Sequence, residues 1–198
     1  MSTWWIDEPF LLGSSNPSEA HLQNLYRQGF RIIIALLDDT EQPPRYDSRH
    51  TIALGFKRYS ILIPDFGAPS LDQVYKFIDW LAAVPRVEKV LVHCEGGAGR
   101  TGTMAAAYWI AKGASAADAI HKVRQANSDA VETKEQIRML NEFESDFKQM
   151  RLEALDTFRR LVALLYREIG VLNSRNHPEL AGKRKLESGF FAPQPGRS

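Results

Sequence analysis

Residues Val90-Leu91-Val92-His93-Cys94-Glu95-Gly96-Gly97-Ala98-Gly99-Arg100-Thr101-Gly102 carry an apolar strand into a glycine-rich turn and then a helix, and they hold the chain's only cysteine. Few folds accommodate that order. Glycines at 96, 97 and 99 admit backbone conformations in which successive N–H groups point at one spot. Thr101-Gly102-Thr103 opens a helix whose N-terminal dipole favours an anion in that same spot. Oriented amides and the Arg100 guanidinium would stabilise a thiolate at Cys94. One loop thus offers a nucleophile and an anion cradle.

The spacing narrows the chemistry. Five residues between Cys94 and Arg100 suffice for a closed loop that surrounds the oxygens of one tetrahedral group. A planar guanidinium donates to two phosphate oxygens at once, which an ammonium cannot do as well. The string His-Cys-x-x-Gly-x-x-Arg-Thr, His93 to Thr101, resembles the signature of the cysteine-dependent protein tyrosine phosphatase superfamily. Gly-x-Gly-Arg-Thr-Gly, Gly97 to Gly102, is similar to its dual-specificity branch. The plainer alternative, a buried cysteine beside a glycine turn, does not explain six matching positions in a strand–loop–helix context. The resemblance covers residues 1–150 and implies a metal-independent phosphomonoester hydrolase with no cofactor. Cys94 would be its nucleophile, and Glu95, Gly96, Gly97, Ala98, Gly99 and Arg100 its phosphate loop.

The remaining sequence fits an α/β fold with a mostly parallel central sheet flanked by helices. Trp4–Ile6 and Phe10–Leu12 read as a hairpin, and Arg31–Leu37, Tyr59–Ile63 and Lys89–Val92 as strands. Helices are expected from Asn16-Pro17-Ser18-Glu19 to Gln28, from the capping box Ser70-Leu71-Asp72-Gln73 to Val84, and over Thr101–Lys112, Ser115–Ala126 and Lys134–Met150. Asp38–Ser48 is expected to be a polar loop. The cysteine loop then lies at the carboxyl end of a strand, where such sheets bind ligands.

A phosphate ester needs a proton donor for its leaving oxygen. Asp65, in Ile63-Pro64-Asp65-Phe66-Gly67-Ala68-Pro69-Ser70, is similar to the general acid of small atypical dual-specificity phosphatases, although an ordinary turn aspartate reads the same way. Asp38 or Asp39 stands next in line. In related phosphatases a glutamine in the Thr133-x-x-Gln136 context positions water for the second step; the same four residues form a capping box. The resemblance makes Thr101 a donor to the Cys94 sulfur and gives His93 a role in orienting the loop through its ring nitrogens, where a merely buried histidine also fits.

Composition sets the partners. The 198 residues are 44% hydrophobic with net charge +1, consistent with one substantial core and no nucleic-acid partner. A lone cysteine suits a reducing compartment, hence a cytoplasmic location; no secretory signal or bilayer-length apolar run is visible, and the five histidines form no metal cluster. The expected substrate is a phosphorylated protein. Without the phosphotyrosine-recognition motif of the large enzymes, a shallower pocket should admit phosphoserine and phosphothreonine beside phosphotyrosine. Glu95 and the absence of lysine in the loop argue against multiply phosphorylated ligands through like-charge repulsion. An inositol phosphate or phosphoinositide phosphatase, and a phosphopeptide-binding scaffold, are the alternatives. Beyond the minimal domain, residues 151–172 form an amphipathic stripe (Leu152, Leu155, Phe158, Leu161, Val162, Leu165, Ile169). It reads as a helix packed on the catalytic domain, or as one for self-association or partner docking. Residues 173–198 read as a mobile tail.

Overall fold

The computed structural model describes residues 1–176 apart from Asp38, Asp39 and Glu41, with the backbone alone over 168–176. The alternative acids Asp38 and Asp39, the side chain of Ile169 and the tail from residue 177 lie outside the described residues. The described residues fall into two units, Met1–Lys148 and one that begins at Gln149.

The first unit is built on a five-stranded sheet. In chain order the strands are β1 (Thr3–Asp7), β2 (Leu11–Ser14), β3 (Phe30–Ala35), β4 (Lys57–Ser60) and β5 (Lys89–His93); in space they run β1-β2-β5-β3-β4. Only the β1–β2 pair is antiparallel, as expected of the opening hairpin. Because successive side chains of a strand face opposite sides, β5 sends Val90 and Val92 into one core and Leu91 into another. The larger core lies under α3 (Leu71–Ala83), α4 (Gly99–Ala111) and α5 (Ala116–Ala126), and takes in Met139, Leu140 and Phe143 of α6 (Lys134–Asn176). The smaller, around Leu22, Leu25, Ile33 and Phe56, gathers α1 (Glu19–Arg27) and α2 (Ser48–Ala53). Each fully buried Leu, Ile or Phe contributes about 1.5–3 kcal/mol. Helix α4 is buried from Gly99 through Tyr108, which its glycine- and alanine-rich sequence allows.

Several elements differ from expectation. The first helix begins at Glu19 with Ser18 as N-cap, because the Asn16 side chain is drawn into bonds with Pro43 and Glu95. Strand β4 ends at Ser60, since its ladder partner β3 ends at Ala35; Ile61 N still donates to Ala35 O at 2.9 Å, and Ile61 and Ile63 are buried beyond the ladder. The polar loop closes into a helix at Ser48, capped by Asp47, whose carboxylate accepts from Arg49 N at 2.7 Å. Helix α6 runs unbroken past Met150 and Gly170 to Asn176, so residues 173–176 are helical rather than tail. It contains no proline, and one glycine costs only about 1 kcal/mol. The cap of α3 is as expected, with Ser70 and Gln73 bonding reciprocally.

Candidate active site

The loop between β5 and α4 is held by its carbonyls. His93 O accepts from Leu36 N at 2.8 Å, Glu95 O from Asn16 N at 3.0 Å, and Gly97 O from Trp4 Nε1 at 2.9 Å and Asn127 Nδ2 at 3.2 Å. A planar trans peptide sets its N–H opposite its C=O. Turning the carbonyls of 93, 95 and 97 outward therefore turns the amides that follow them the other way. Gly97 N donates to Cys94 Sγ at 3.2 Å. Gly97 has φ +82°, and a Cβ there would lie 2.5 Å from Ser15 N and 2.6 Å from the Ser14 carbonyl carbon, so only glycine fits against the end of β2.

Arg100 is 3% exposed. Its guanidinium donates to Ile63 O at 3.2 Å, Gln42 Oε1 at 2.6 Å and Asp65 Oδ1 at 2.8 Å. Asp65 sits at a turn closed by Gly67 N donating to Pro64 O, and its second oxygen accepts from Gln42 Nε2 at 2.7 Å. The structure thus brings Asp65 to the arginine six residues beyond Cys94. Gln42, which links Asp65 to Arg100, carries no sequence signal in its loop.

Gln136 is fully buried and serves two loops. Its backbone amide and Oε1 make the reciprocal cap with Thr133, Oε1 also accepts from Glu132 N, and Nε2 donates to Gly67 O at 2.9 Å in the Asp65 loop. Thr101 departs from expectation. Its hydroxyl is buried and has no hydrogen-bond partner among the described residues, so the bond to Cys94 Sγ comes from Gly97 N instead. Helix α4 starts at Gly99 rather than Thr101, which places Thr101 inside the first turn instead of on the loop.

His93 Nε2 lies 3.0 Å from Tyr46 Oη, and Arg58 Nε donates to that same phenol oxygen at 3.0 Å. The phenol oxygen thus bridges the His93 ring and the Arg58 guanidinium. Burial pushes the His93 pKa down to about 3; the Cys94 backbone opposes the shift, while the Arg58 and Arg100 charges reinforce it. Sequence reading missed Tyr46 because it lies in a loop with no periodicity.

Glu95 is not the uncompensated charge expected from the sequence. Its carboxylate pairs with Arg45 and accepts from Asn16 Nδ2 at 2.7 Å. A carboxylate compensated in this way does not repel an anion in the loop as a free one would, and the sequence-based argument against multiply phosphorylated ligands lapses. Among the described residues no group of three or more His, Cys, Asp or Glu could hold a metal ion, and no helix is long and apolar enough to cross a membrane.

The sequence model of the Swiss Army Knife protein DSP-PTPase phosphatase domain matches residues 2–150. The crystal structure of Tk-PTP in the active form is 35% identical, aligns over 73% of this chain and 97% of that one, and superposes with a TM-score of 0.66. PTPMT1 in complex with PI(5)P shares the fold at 20% identity, over 75% and 98% of the two chains, with a TM-score of 0.68. The human tyrosine phosphatase-like serine/threonine/tyrosine-interacting protein does so at 18% identity, over 73% and 97%, with a TM-score of 0.63. With the cysteine loop, its arginine and the facing aspartate in place, the chain belongs to the cysteine-dependent protein tyrosine phosphatase superfamily, in its atypical dual-specificity branch, and is a phosphatase of that kind.

Proposed function

We propose that this phosphatase acts on phosphotyrosine in proteins, and more slowly on phosphoserine and phosphothreonine, through a phosphocysteine intermediate. The observation that carries the reading is the Arg100–Asp65 contact at 2.8 Å, made at the loop in which Gly97 N–H meets Cys94 Sγ. Cys94 attacks phosphorus, the S–P bond forms and the P–O bond breaks, and Asp65 delivers its proton to the leaving oxygen. Arg100 and the amides of residues 95–100 hold the equatorial oxygens as charge shifts. The phosphoryl group takes over Arg100 from Asp65 and Gln42, freeing the carboxyl to reach the leaving group. In the second half Asp65 takes a proton from water, which attacks phosphorus and expels the thiolate. Gln136 positions that water, and the departing sulfur keeps the Gly97 N–H as its donor.

The protein-substrate reading is supported by Phe66, 62% exposed and adjacent to Asp65, which offers a face to the ring of phosphotyrosine. A thiol nucleophile works only when reduced, which supports a cytoplasmic setting. A second reading, hydrolysis of inositol phosphates or phosphoinositides, is favoured by the compensation of Glu95 by Arg45 and by the fold shared with PTPMT1 bound to PI(5)P. Initial rates on phosphotyrosine, phosphoserine and phosphothreonine peptides and on inositol phosphates, at one ionic strength, separate the two. Phosphotyrosine peptides are expected to be fastest; faster turnover of any inositol phosphate establishes the second reading instead.

A further inference from the structure

Of the three loop carbonyls that face outward, two are held by main-chain amides, which no substitution removes. The third, Gly97 O, is held by side chains alone: Trp4 Nε1 from β1 at 2.9 Å and Asn127 Nδ2 from the C-cap of α5 at 3.2 Å. Reaching it requires Trp4 to cross the neighbouring strand. It does so at Gly13, where a Cβ would lie 2.8 Å from the indole. Residues at opposite ends of the first 130 therefore meet on one peptide. The Trp4 contact is buried, and Trp4 itself is only 8% exposed, so water does not compete strongly for the bond.

We infer that Trp4 and Asn127 are positioning residues of the phosphatase reaction: by fixing and polarising the Gly97–Ala98 peptide they aim the Ala98 amide at the phosphoryl oxygens. The peptide is planar, so a carbonyl fixed outward leaves its N–H directed to the side of Gly97 N and Cys94 Sγ. Two donors on the carbonyl oxygen withdraw charge from the amide and make its N–H a stronger donor. The gain is largest where oxygen charge is greatest, in the transferring group, so the effect falls more on kcat than on KM.

The inference rests on the phosphatase reading, and the test keeps the two apart by measuring binding and turnover separately. Trp4→Phe keeps the ring and deletes the donor; Asn127→Ala deletes the other. Calorimetric titration with inorganic tungstate reads the cradle without turnover, and steady-state hydrolysis of 4-nitrophenyl phosphate reads the chemistry. Each variant is expected to weaken tungstate binding about 3- to 10-fold, the net worth of one hydrogen bond, and to lower kcat by at least that factor with KM changing less. The double variant should lose more than either single one. A merely structural role would lower thermal stability and the active fraction while leaving the tungstate Kd unchanged, and that result in both single variants overturns the inference. Wild-type protein that binds tungstate without hydrolysing the ester would instead overturn the phosphatase reading, and this inference with it.

Discussion

The cysteine loop and the aspartate loop meet at Arg100 but are built on opposite lines. Residues 93–102 are buried for the most part, with carbonyls at 93, 95 and 97 tied to four other segments of the chain. Asp65, by contrast, has a side chain 41% exposed, on a turn whose next residue, Phe66, holds φ +56° with its ring in solvent. A non-glycine residue in that region costs of order 1 kcal/mol. The cradle that must match a transferring phosphoryl group is over-determined. The proposed acid, which has to exchange Arg100 for a leaving group, is half-exposed and held to the cradle by side chains alone, Arg100 and Gln42. Rigidity is thus concentrated where charge is stabilised, and freedom where a proton moves.

Substitutions can break that contrast from either side. The largest loss is expected for Arg100→Lys, which replaces a fork serving three acceptors with one point charge. Turnover of an aryl phosphate should fall about 10³-fold or more, the scale of an arginine on a transferring phosphoryl group; a loss below tenfold would mean the amides suffice alone. Asp65→Asn should slow the same substrate about 10²- to 10⁴-fold, with a smaller loss for a better leaving group. An equal loss for all leaving groups would assign the proton to another residue. Gly97→Ala forces a Cβ into the backbone of Ser14 and Ser15, whereas Gly96→Ala meets nothing within 4 Å. The first should lower both melting temperature and activity, and the second should leave stability nearly unchanged; similar behaviour of the two would refute the described path of the loop.

The smallest effect concerns acid. His93 is held neutral in the fold, its pKa pushed down to about 3 from an ordinary 6.5. The unfolded chain therefore binds the proton more readily. The stability that His93 contributes is present above pH 6.5 and is lost as pH falls toward 3. The melting temperature should decline across that window, and His93→Gln should flatten the decline. An unaltered slope in the variant would place the acid sensitivity elsewhere.

What the sequence made legible follows from locality. Cys94, Arg100 and the strand–loop–helix around them lie within thirteen residues, where glycine conformation and helix polarity act at short range. The opening hairpin and the Ser70 capping box were readable for the same reason. Asp65 needed chemical reasoning to be chosen over an ordinary turn aspartate, because its contact with Arg100 spans 35 residues. The roles of Gln42, Tyr46, Asn127 and Trp4 were silent: each acts through side-chain bonds to distant segments, which local patterning does not reveal. Glu95 and Thr101 show the converse failure. Their place in the motif was clear, but the direction of each side chain depends on Arg45, on Asn16 and on where α4 begins.

The proposed mechanism turns on covalent phosphorylation of Cys94. Rapid mixing of the Asp65→Asn variant with 4-nitrophenyl phosphate, whose leaving group departs with little need of an acid, followed by acid quench and intact-mass analysis reads this directly. Loss of the proton acceptor for water should slow breakdown of the intermediate enough to trap it. One added phosphoryl group per chain is expected, mapped to Cys94 by peptide fragmentation and absent in Cys94→Ser. Turnover that persists in Cys94→Ser, with no phosphorylated cysteine at any time point, would contradict that mechanism.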